Sequence, residues 1–204
     1  MKDILEIRAD FPLLSVKVYG RPLIYFDNGA TTQKPFCVLD IIKEVYTSYN
    51  GNIHRGVHAM SDKTSEAYEN AREKVRAFIN AGKREEIVFT SGTTGSINTI
   101  AFSFGEKYIK AGDEIIISAL EHHANIVPWQ MLCERKNAKL RIIPMNDSGE
   151  LLFEGYVKLF SPKTSMVAVS QASNALGTIL PLKEIIDLAH SHNIPVLVDG
   201  AQGV

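Results

Sequence analysis

The sequence of 204 residues is 45% hydrophobic and has a mean hydropathy of -0.02, a composition typical of a globular protein with a sizeable core and one large domain. Its formal net charge of -1 comes from interspersed charges, which argues against binding of nucleic acid or of a membrane surface. No stretch approaches the roughly 18 apolar residues of a membrane span, and the first residues lack the apolar core of a signal peptide, so we expect a cytoplasmic protein.

The first part of the chain predicts an arm, a strand and two helices. Residues 1–22 are typical of a short amphipathic helix followed by an extended arm, and residues 23–32 of a strand that runs into a polar turn. Helices are predicted over residues 36–49 and 61–80, where apolar residues suit a helix with one face in the core. The loop between them, residues 50–58, carries two histidines and an arginine.

Strands and helices alternate from residue 86 onward. The predicted strands cover residues 86–90, 114–118, 140–144, 166–170 and 196–199, and the predicted helices cover residues 97–108, 151–160 and 182–189, with one more after residue 125. Such alternation implies right-handed crossovers, so it predicts an α/β fold of three layers, with helices on both faces of a mainly parallel sheet. Cys37 and Cys133 lie in predicted helices, which favours free thiols over a disulfide.

The predicted strand at residues 196–199 ends in a carboxylate. Asp199 is followed by a flexible glycine and, shortly after, by the side-chain amide of Gln202. In open α/β sheets ligands bind outside the carboxyl ends of the strands, so we expect Asp199 and Gln202 to face a ligand.

A turn rich in glycine and threonine, residues 92–96, joins a predicted strand to a predicted helix. Unpaired backbone N–H groups at a helix N-terminus carry partial positive charge, and the hydroxyls of Thr93 and Thr94 add donors, so the turn suits a phosphate group. An ordinary helix cap is the alternative. The sequence contains neither the glycine spacing of a dinucleotide-binding fingerprint nor the Gly-Lys-Ser/Thr ending of a P-loop.

Polar loops also follow the predicted strands at residues 114–118 and 166–170. The first contains His122 and His123, which point in different directions from adjacent backbone positions and therefore do not suit one metal ion. One of these rings can stack on a flat ligand, or can simply cap the next helix. The second loop contains Asn174, whose amide can donate to a phenolic or carboxylate oxygen or can close the loop.

His54 lies in a glycine-flanked loop that is far in sequence from the strand ends. Together with Arg55 it can guard the entrance of a site or reach the site of a neighbouring subunit, or it can belong to a solvated turn. The strand-end loops offer phosphate donors, an aromatic ring, amides and an acid at one edge of the sheet. An aromatic phosphorylated cofactor needs this combination.

Several motifs occur in a fixed order along the chain. They are YFDNGATTQKP at residues 25–35, HRGVH at 54–58, GTT at 92–94, EHHANIVPWQM at 121–131, SNALG at 173–177 and VDGAQ at 198–202. Together they resemble the SufS-like (group II) cysteine desulfurases, which are pyridoxal 5'-phosphate (PLP) enzymes of the class-V aminotransferase family with fold type I. The resemblance extends from about residue 3 to the last residue.

The resemblance implies how the candidate residues would bind PLP. Thr93 and Thr94 would bind the phosphate, and His122 would stack on the pyridine ring and is the candidate acid or base. Asp199 would pair with the ring nitrogen. An adjacent carboxylate favours the protonated pyridinium, and that charge makes the ring an electron sink.

The resemblance also implies a substrate and partners. Asn174 and Gln202 would hydrogen-bond near the phenolic oxygen of PLP and the substrate, and His54 would line the substrate entrance. No metal is implied. L-cysteine would be the substrate, a protein of the SufE or SufU type the sulfur acceptor, and iron–sulfur cluster assembly the use of the sulfur. A homodimer is implied for the complete enzyme.

The sequence departs from the family pattern in two respects. Gly95 and Ser96 stand where the family usually has Glu-Gly. The lysine that forms the Schiff base, in a Ser-x-His-Lys motif, the cysteine that accepts the sulfur and the arginine that holds the substrate carboxylate would all follow residue 202, and the sequence lacks them. We therefore expect an amino-terminal part of the enzyme, inactive alone: residues 1–22 as helix and arm, and residues 23–204 as a truncated PLP-binding large domain, without the small C-terminal domain.

Two alternatives to a cysteine desulfurase stay open. A selenocysteine lyase or another class-V enzyme would use the same cofactor pocket, and the loop cysteine that distinguishes them is not in the sequence. A non-catalytic module that binds a phosphorylated ligand or dimerises is the second alternative. An open sheet edge and an uncovered apolar face argue against a module that stands alone.

Overall fold

The computed structural model describes residues 3–203, and the chain divides into two compact units, Met1–Phe89 and Thr90–Val204. The second unit carries the main sheet, and the first is mostly helical. Among residues 3–203, no helix combines the length and the apolar composition needed to cross a membrane.

The first unit begins with the short helix and arm predicted for residues 1–22, of which the first two residues lie outside the described part. Helix α1 (Ile4–Ala9) is followed by a 3₁₀ turn (Pro12–Ser15). The arm then folds back on itself, because β1 (Lys17–Val18) pairs antiparallel with β2 (Arg21–Pro22). The sequence did not predict this hairpin.

Both helices predicted for the first unit are present. Helix α2 (Phe36–Glu44) continues into a π-helical turn (Val45–Tyr49), and α3 covers Ala59–Phe78. His58 begins α3 as its N-cap: its Nδ1 accepts a hydrogen bond at 3.3 Å from the N–H of Ser61, which satisfies one of the unpaired donors of the first turn.

The strand predicted within residues 23–32 is wrong. The N–H of Leu23 still donates to the carbonyl of Val16 at 3.1 Å, but no described strand pairs with the backbone after it. Phe26 is 93% exposed, and the chain then turns. Apolar residues favour extended backbone here, yet a strand requires a ladder of hydrogen bonds to a neighbour.

The second unit contains α/β elements in the predicted order. After α4 (Thr93–Ile100), a π-helical turn and the short α5 (Glu106–Tyr108), the elements are β3 (Glu114–Ser118), α6 (Val127–Lys136), β4 (Lys139–Ile143), α7 (Phe153–Leu159), β5 (Thr164–Ser170), α8 (Leu182–Ser191) and β6 (Val196–Asp199). The strand order is β4-β3-β5-β6, and all pairs are parallel. The predicted parallel sheet is therefore confirmed.

Alternate residues of β3 separate two apolar clusters. Ile115 and Ile117 belong to the cluster that contains Trp129 of α6, whereas Ile116 belongs to the cluster that contains Tyr156 of α7. Successive side chains of a strand point to opposite faces, so the two clusters lie on opposite faces of the sheet. Helices cover both faces, which confirms the three-layer arrangement.

The strand predicted at residues 86–90 is also wrong. A 3₁₀ turn (Arg84–Glu86) precedes it, and the backbone at Ile87 is extended, with φ -94° and ψ 114°. No described strand pairs with residues 87–90, and Val88 is 72% exposed. The β-branched residues thus give the right backbone conformation without the ladder that makes a strand.

The two cysteines occupy the predicted helices, and both are free thiols. Cys37 lies on α2 and is exposed, whereas Cys133 lies on α6 and is buried. Burial raises the pKa of the Cys133 thiol to about 11, because the thiolate would lose its hydration.

Candidate functional site

The carboxyl ends of three parallel strands form the core of the candidate site. Ser170 at the end of β5 is paired in register with Asp199 at the end of β6. On its other side β5 pairs with β3, which ends at Ser118. Hydroxyls and a carboxylate therefore meet at one edge of the sheet, as the sequence predicted.

Asp199 is a buried acid at this edge. Its side chain is held by the N–H of Ala201, which donates to Oδ1 at 3.0 Å, and its carbonyl accepts the N–H of Gln171 at 2.9 Å. The residue is only 6% exposed, and its immediate neighbours in the loop are uncharged. A buried carboxylate in such surroundings attracts a cationic group of a ligand.

Thr93 and Thr94 lie in the first turn of α4, immediately after a glycine with a positive φ angle. Gly92 has φ +125° and ψ 175°, a region that only glycine adopts readily, and this conformation ends the extended segment and starts the helix. Ser96 steadies the turn: its Oγ lies 2.7 Å from Oγ1 of Thr90, and its N–H donates to the carbonyl of Gly92 at 3.0 Å. The helix N-terminus thus keeps its N–H groups and threonine hydroxyls available for an anion.

His122 lies on the loop after β3, before the 3₁₀ turn His123–Asn125. Its Nδ1 accepts the N–H of Ala124 at 3.1 Å, so a neutral ring carries its proton on Nε2. This bond fixes the edge of the ring while the side chain stays exposed. The ring of His123 stands at 87° to it with 6.1 Å between centroids, in keeping with the expectation that the two histidines point in different directions.

Asn174 and Gln202 lie on the loops that follow β5 and β6. The loop around Asn174 is closed by the N–H of Ser173, which donates to the carbonyl of Thr178 at 2.9 Å. Asn174 and Gln202 are both exposed. Thr93, Thr94, His122, Asn174, Asp199 and Gln202 all belong to the second unit.

His54 belongs to the first unit, where an acid of α3 holds it. Nε2 of its ring lies 3.1 Å from Oε1 of Glu69, and its backbone N–H donates to Oγ of Ser65 at 2.9 Å. Glu69 also lies near two guanidinium groups, at 3.6 Å from Arg72 and 3.5 Å from Arg84. The backbone of His54 has φ +57°. The loop is therefore tied to α3 through side chains.

Glu121 is a site residue to which the sequence assigned no role. Oε1 accepts hydrogen bonds from the hydroxyl of Ser118 and from the N–H of Ser170, the latter at 2.9 Å, and Oε2 accepts the amide of Asn125 at 2.7 Å. Asn125 in turn accepts the indole N–H of Trp129 at 2.9 Å. This hydrogen-bonded network joins the ends of β3 and β5 to the core.

Burial raises the pKa of Glu121, since the charged form loses hydration. The hydrogen bonds from Ser118, Asn125 and Ser170 oppose this effect by favouring the carboxylate, whereas the charge of Asp199 raises the pKa further. Glu121 and Asp199 therefore interact electrostatically. The signal available in the sequence was an acid three residues after the end of a buried strand, followed at helical spacing by Asn125 and Trp129.

The second unit therefore offers three groups that suit the parts of a flat ligand with an anionic end and a cationic ring. A helix N-terminus suits a phosphate, an exposed imidazole suits stacking, and a buried carboxylate suits a protonated nitrogen.

Relatives named cysteine desulfurase match almost the whole chain. The one from Synechococcus elongatus is 52% identical over 202 residues, which is 99% of this chain and 32% of that protein. The one from Shigella sonnei is 52% identical over 199 residues, which is 98% of this chain and 49% of that protein. The chain thus spans about a third of the first of these curated relatives and about half of the second.

Solved structures with the same fold include two cysteine desulfurases. The enzyme CsdA from Escherichia coli superposes with a TM-score of 0.84 at 35% identity, over 100% of this chain and 50% of that one. The apo enzyme from Thermococcus onnurineus NA1 gives a TM-score of 0.88 at 37% identity, over 98% of this chain and 48% of that one. The pattern of the family described as aminotransferase class-V matches residues 24–204, and the chain therefore belongs to the class-V aminotransferase family.

Proposed function

We propose that the complete protein is a PLP-dependent cysteine desulfurase of the SufS-like group. The observation that carries the proposal is the buried Asp199 at the end of β6, in the same unit as the helix end at Thr93 and the exposed ring of His122. Relatives named cysteine desulfurase, at up to 52% identity, support cysteine as the substrate.

The residues present fit PLP by their chemistry. The buried carboxylate of Asp199 matches a protonated ring nitrogen, and the free N–H groups at the start of α4 match a dianionic phosphate. When bound, PLP supplies an electron sink that stabilises negative charge at the α-carbon of an amino acid.

Each residue would then have a separate task. Thr93 and Thr94 bind the phosphate, and Asp199 keeps the ring nitrogen protonated. The imidazole of His122 stacks on the pyridine ring of PLP. Its Nδ1 is fixed by the N–H of Ala124, and its Nε2 is placed to carry a proton. Asp199 is held in place by the N–H of Ala201, so its carboxylate is oriented before the ligand arrives.

The exposed amides and the loop of the first unit complete the proposal. Asn174 and Gln202 would donate hydrogen bonds near the phenolic oxygen of PLP and the substrate. His54 would line the substrate entrance, with Glu69 holding its ring.

The resemblance implies that the enzyme's own nucleophilic thiol, which takes the sulfur from cysteine, lies outside residues 1–204. Cys133 is unsuited because it is buried and its pKa is raised to about 11, and neither Cys133 nor Cys37 stands where the family has its nucleophilic cysteine. The C–S bond of cysteine breaks and an S–S bond forms on the enzyme, so L-cysteine and a thiol give L-alanine and a persulfide. We expect the lysine that holds the cofactor in the same outside part.

The complete enzyme would have the domains and partners that the resemblance implies. Residues 1–22 form a helix and arm, residues 23–204 form part of the PLP-binding large domain, and a small domain follows in the complete enzyme. We propose that the enzyme is a cytoplasmic homodimer that passes sulfur to a protein of the SufE or SufU type for iron–sulfur cluster assembly.

The experiment is a product assay on the complete protein. It is incubated with L-cysteine and a reductant, and alanine and sulfide are measured by chromatography and colorimetry. Equal amounts of both products, with visible absorbance from bound PLP, are expected. PLP binding with turnover of selenocysteine alone would point to a selenocysteine lyase, and absence of both binding and turnover would point to a non-catalytic module.

A further inference from the structure

Glu121 stands where three elements of the second unit meet. It follows β3 in sequence, accepts hydrogen bonds from the end of β5, and contacts Asn125 at the end of the 3₁₀ turn that His122 precedes. We infer that Glu121 is a positioning residue, whose carboxylate fixes the His122 loop against the strand ends and adds negative charge near Asp199. This inference rests on the proposed function, because the group that it positions is PLP.

Both oxygens of Glu121 are used, and all of their partners are donors. Oε1 accepts from Ser118 and from both the N–H and the hydroxyl of Ser170, at 2.9 and 3.4 Å for Ser170, and Oε2 accepts from Asn125 at 2.7 Å. The hydroxyl of Ser118 itself accepts the N–H of Leu120 at 3.1 Å, so its own proton is free for Glu121. An ionised carboxylate satisfies this set of donors.

The same network orients His122 through Asn125. The N–H of Asn125 donates to the carbonyl of His122 at 2.8 Å, and the N–H of Ala124 donates to its Nδ1 at 3.1 Å. The side chain of Asn125 is fixed at its other end by Trp129. Displacing Glu121 would therefore release the turn on which the orientation of the His122 ring depends.

Glu121 is also coupled to Asp199 through β5. Ser170, which donates two hydrogen bonds to Glu121, is the register partner of Asp199 in the parallel ladder. The charge of Asp199 raises the pKa of Glu121, so the two carboxylates also interact electrostatically. Two carboxylates at one strand edge produce a stronger negative potential than Asp199 alone, and this favours a protonated ring nitrogen.

Glutamine cannot replace Glu121 in this network. If its NH₂ group faces Asn125, two donors meet, because Oδ1 of Asn125 is already bound to Trp129. If the amide is turned round, the NH₂ group faces the N–H of Ser170, which is also a donor. Either orientation leaves a donor without a partner, at a cost that is well above that of a surface substitution.

The test compares Glu121→Gln with Glu106→Gln in the complete protein. Glu106 lies in the same unit and pairs on the surface with Arg135 at 2.8 Å and Lys136 at 2.9 Å, so it loses a similar carboxylate away from the site. The affinity of the cofactor-free protein for PLP is measured by absorbance titration, the visible circular dichroism of bound PLP reports its orientation, and thermal melting without PLP reports folding.

We expect Glu121→Gln to weaken PLP binding by about tenfold and to change the visible circular dichroism, while Glu106→Gln behaves like the parent protein. Equal affinity and identical spectra in both variants would overturn the inference. If Glu121→Gln does not fold, Ser118→Ala removes one donor from the same carboxylate and should shift both readouts in the same direction by a smaller amount; an unshifted Ser118→Ala then counts against the inference. Failure of the unaltered parent to bind PLP would instead reject the proposed function.

Discussion

Asn125 and Trp129 are joined across 2.9 Å by a hydrogen bond from the indole N–H to the amide oxygen, and both side chains are fully buried. The indole body packs in the apolar cluster on one face of the sheet, while its polar edge reaches the network of Glu121. Tryptophan combines a large apolar surface with one donor, so it can connect a core to a polar site.

Trp129→Phe should destabilise the complete protein by about 1–3 kcal/mol, because it leaves Oδ1 of the buried Asn125 without its donor and removes part of a packed ring. Urea denaturation followed by circular dichroism measures this change. Lys183→Ala is the control: its ion pair with Asp187 is on the surface, and no change in stability is expected. Equal midpoints in the two variants would show that the indole N–H contributes nothing.

Asp199→Asn should lower the kcat of the complete enzyme by about 100-fold or more, because an amide cannot hold the ring nitrogen in its charged form. Steady-state production of alanine measures the effect. Asp187→Asn, on the exposed face of α8, should retain the parent kcat. A kcat within twofold of the parent in Asp199→Asn would remove Asp199 from the proposed role.

Thr94→Val should weaken the binding of PLP by about tenfold and leave the binding of pyridoxal, which lacks the phosphate, unchanged. The difference between the two ligands isolates the phosphate contact from general damage to the site. Thr99→Val, on the same helix, is the matched control. The hydroxyl of Thr99 donates to the carbonyl of Gly95 at 2.8 Å, so it is not available to a ligand. A parallel loss of affinity for both ligands in Thr94→Val would contradict a phosphate role.

The buried thiol of Cys133 should cause the free energy of unfolding to fall at alkaline pH. Its pKa is raised from 9.0 in the exposed state to about 11 in the folded state, so above pH 9 the unfolded chain loses a proton that the folded chain keeps. The stabilisation is complete below pH 9 and is lost by about pH 11, and it amounts to roughly 2–3 kcal/mol. Denaturation midpoints between pH 8 and 11 measure the loss.

Cys133→Ala should remove this part of the alkaline decline. Tyr156 continues to contribute above pH 10 in the variant, because burial raises the pKa of its phenol as well. An identical decline in the parent and in Cys133→Ala would show that the thiol does not titrate differently in the folded and unfolded states.

The sequence predicted the sheet well where burial on both faces produced continuous apolar runs. The strands at residues 114–118 and 196–199 have the predicted bounds, and the helices between the strands follow the predicted order. The segments 23–32 and 86–90 carry similar residues but lack a ladder among the described residues. Local composition fixes extended backbone, whereas pairing depends on which segments meet, and a single sequence does not show this.

The role of Glu121 could not be predicted for a related reason. Its partners Ser118 and Ser170 are far apart in sequence and come together only because β3 and β5 pair in parallel. The positions of Asp199 and Thr93 were easier to predict, since Asp199 ends a strand and Thr93 begins a helix, and both boundaries are visible in the sequence. Their roles toward PLP stay predictions.

The backbone of Gly92 limits how this protein can change over evolutionary time. Every single-nucleotide missense change of a glycine codon introduces a residue with a Cβ, and at φ +125° any such residue is strained even though the space around it is open. Every amino-acid substitution at Gly92 is therefore expected to strain the backbone, so no neutral substitution is available at this position. Substitutions in the threonine turn are therefore expected at the positions around Gly92 and not at Gly92 itself.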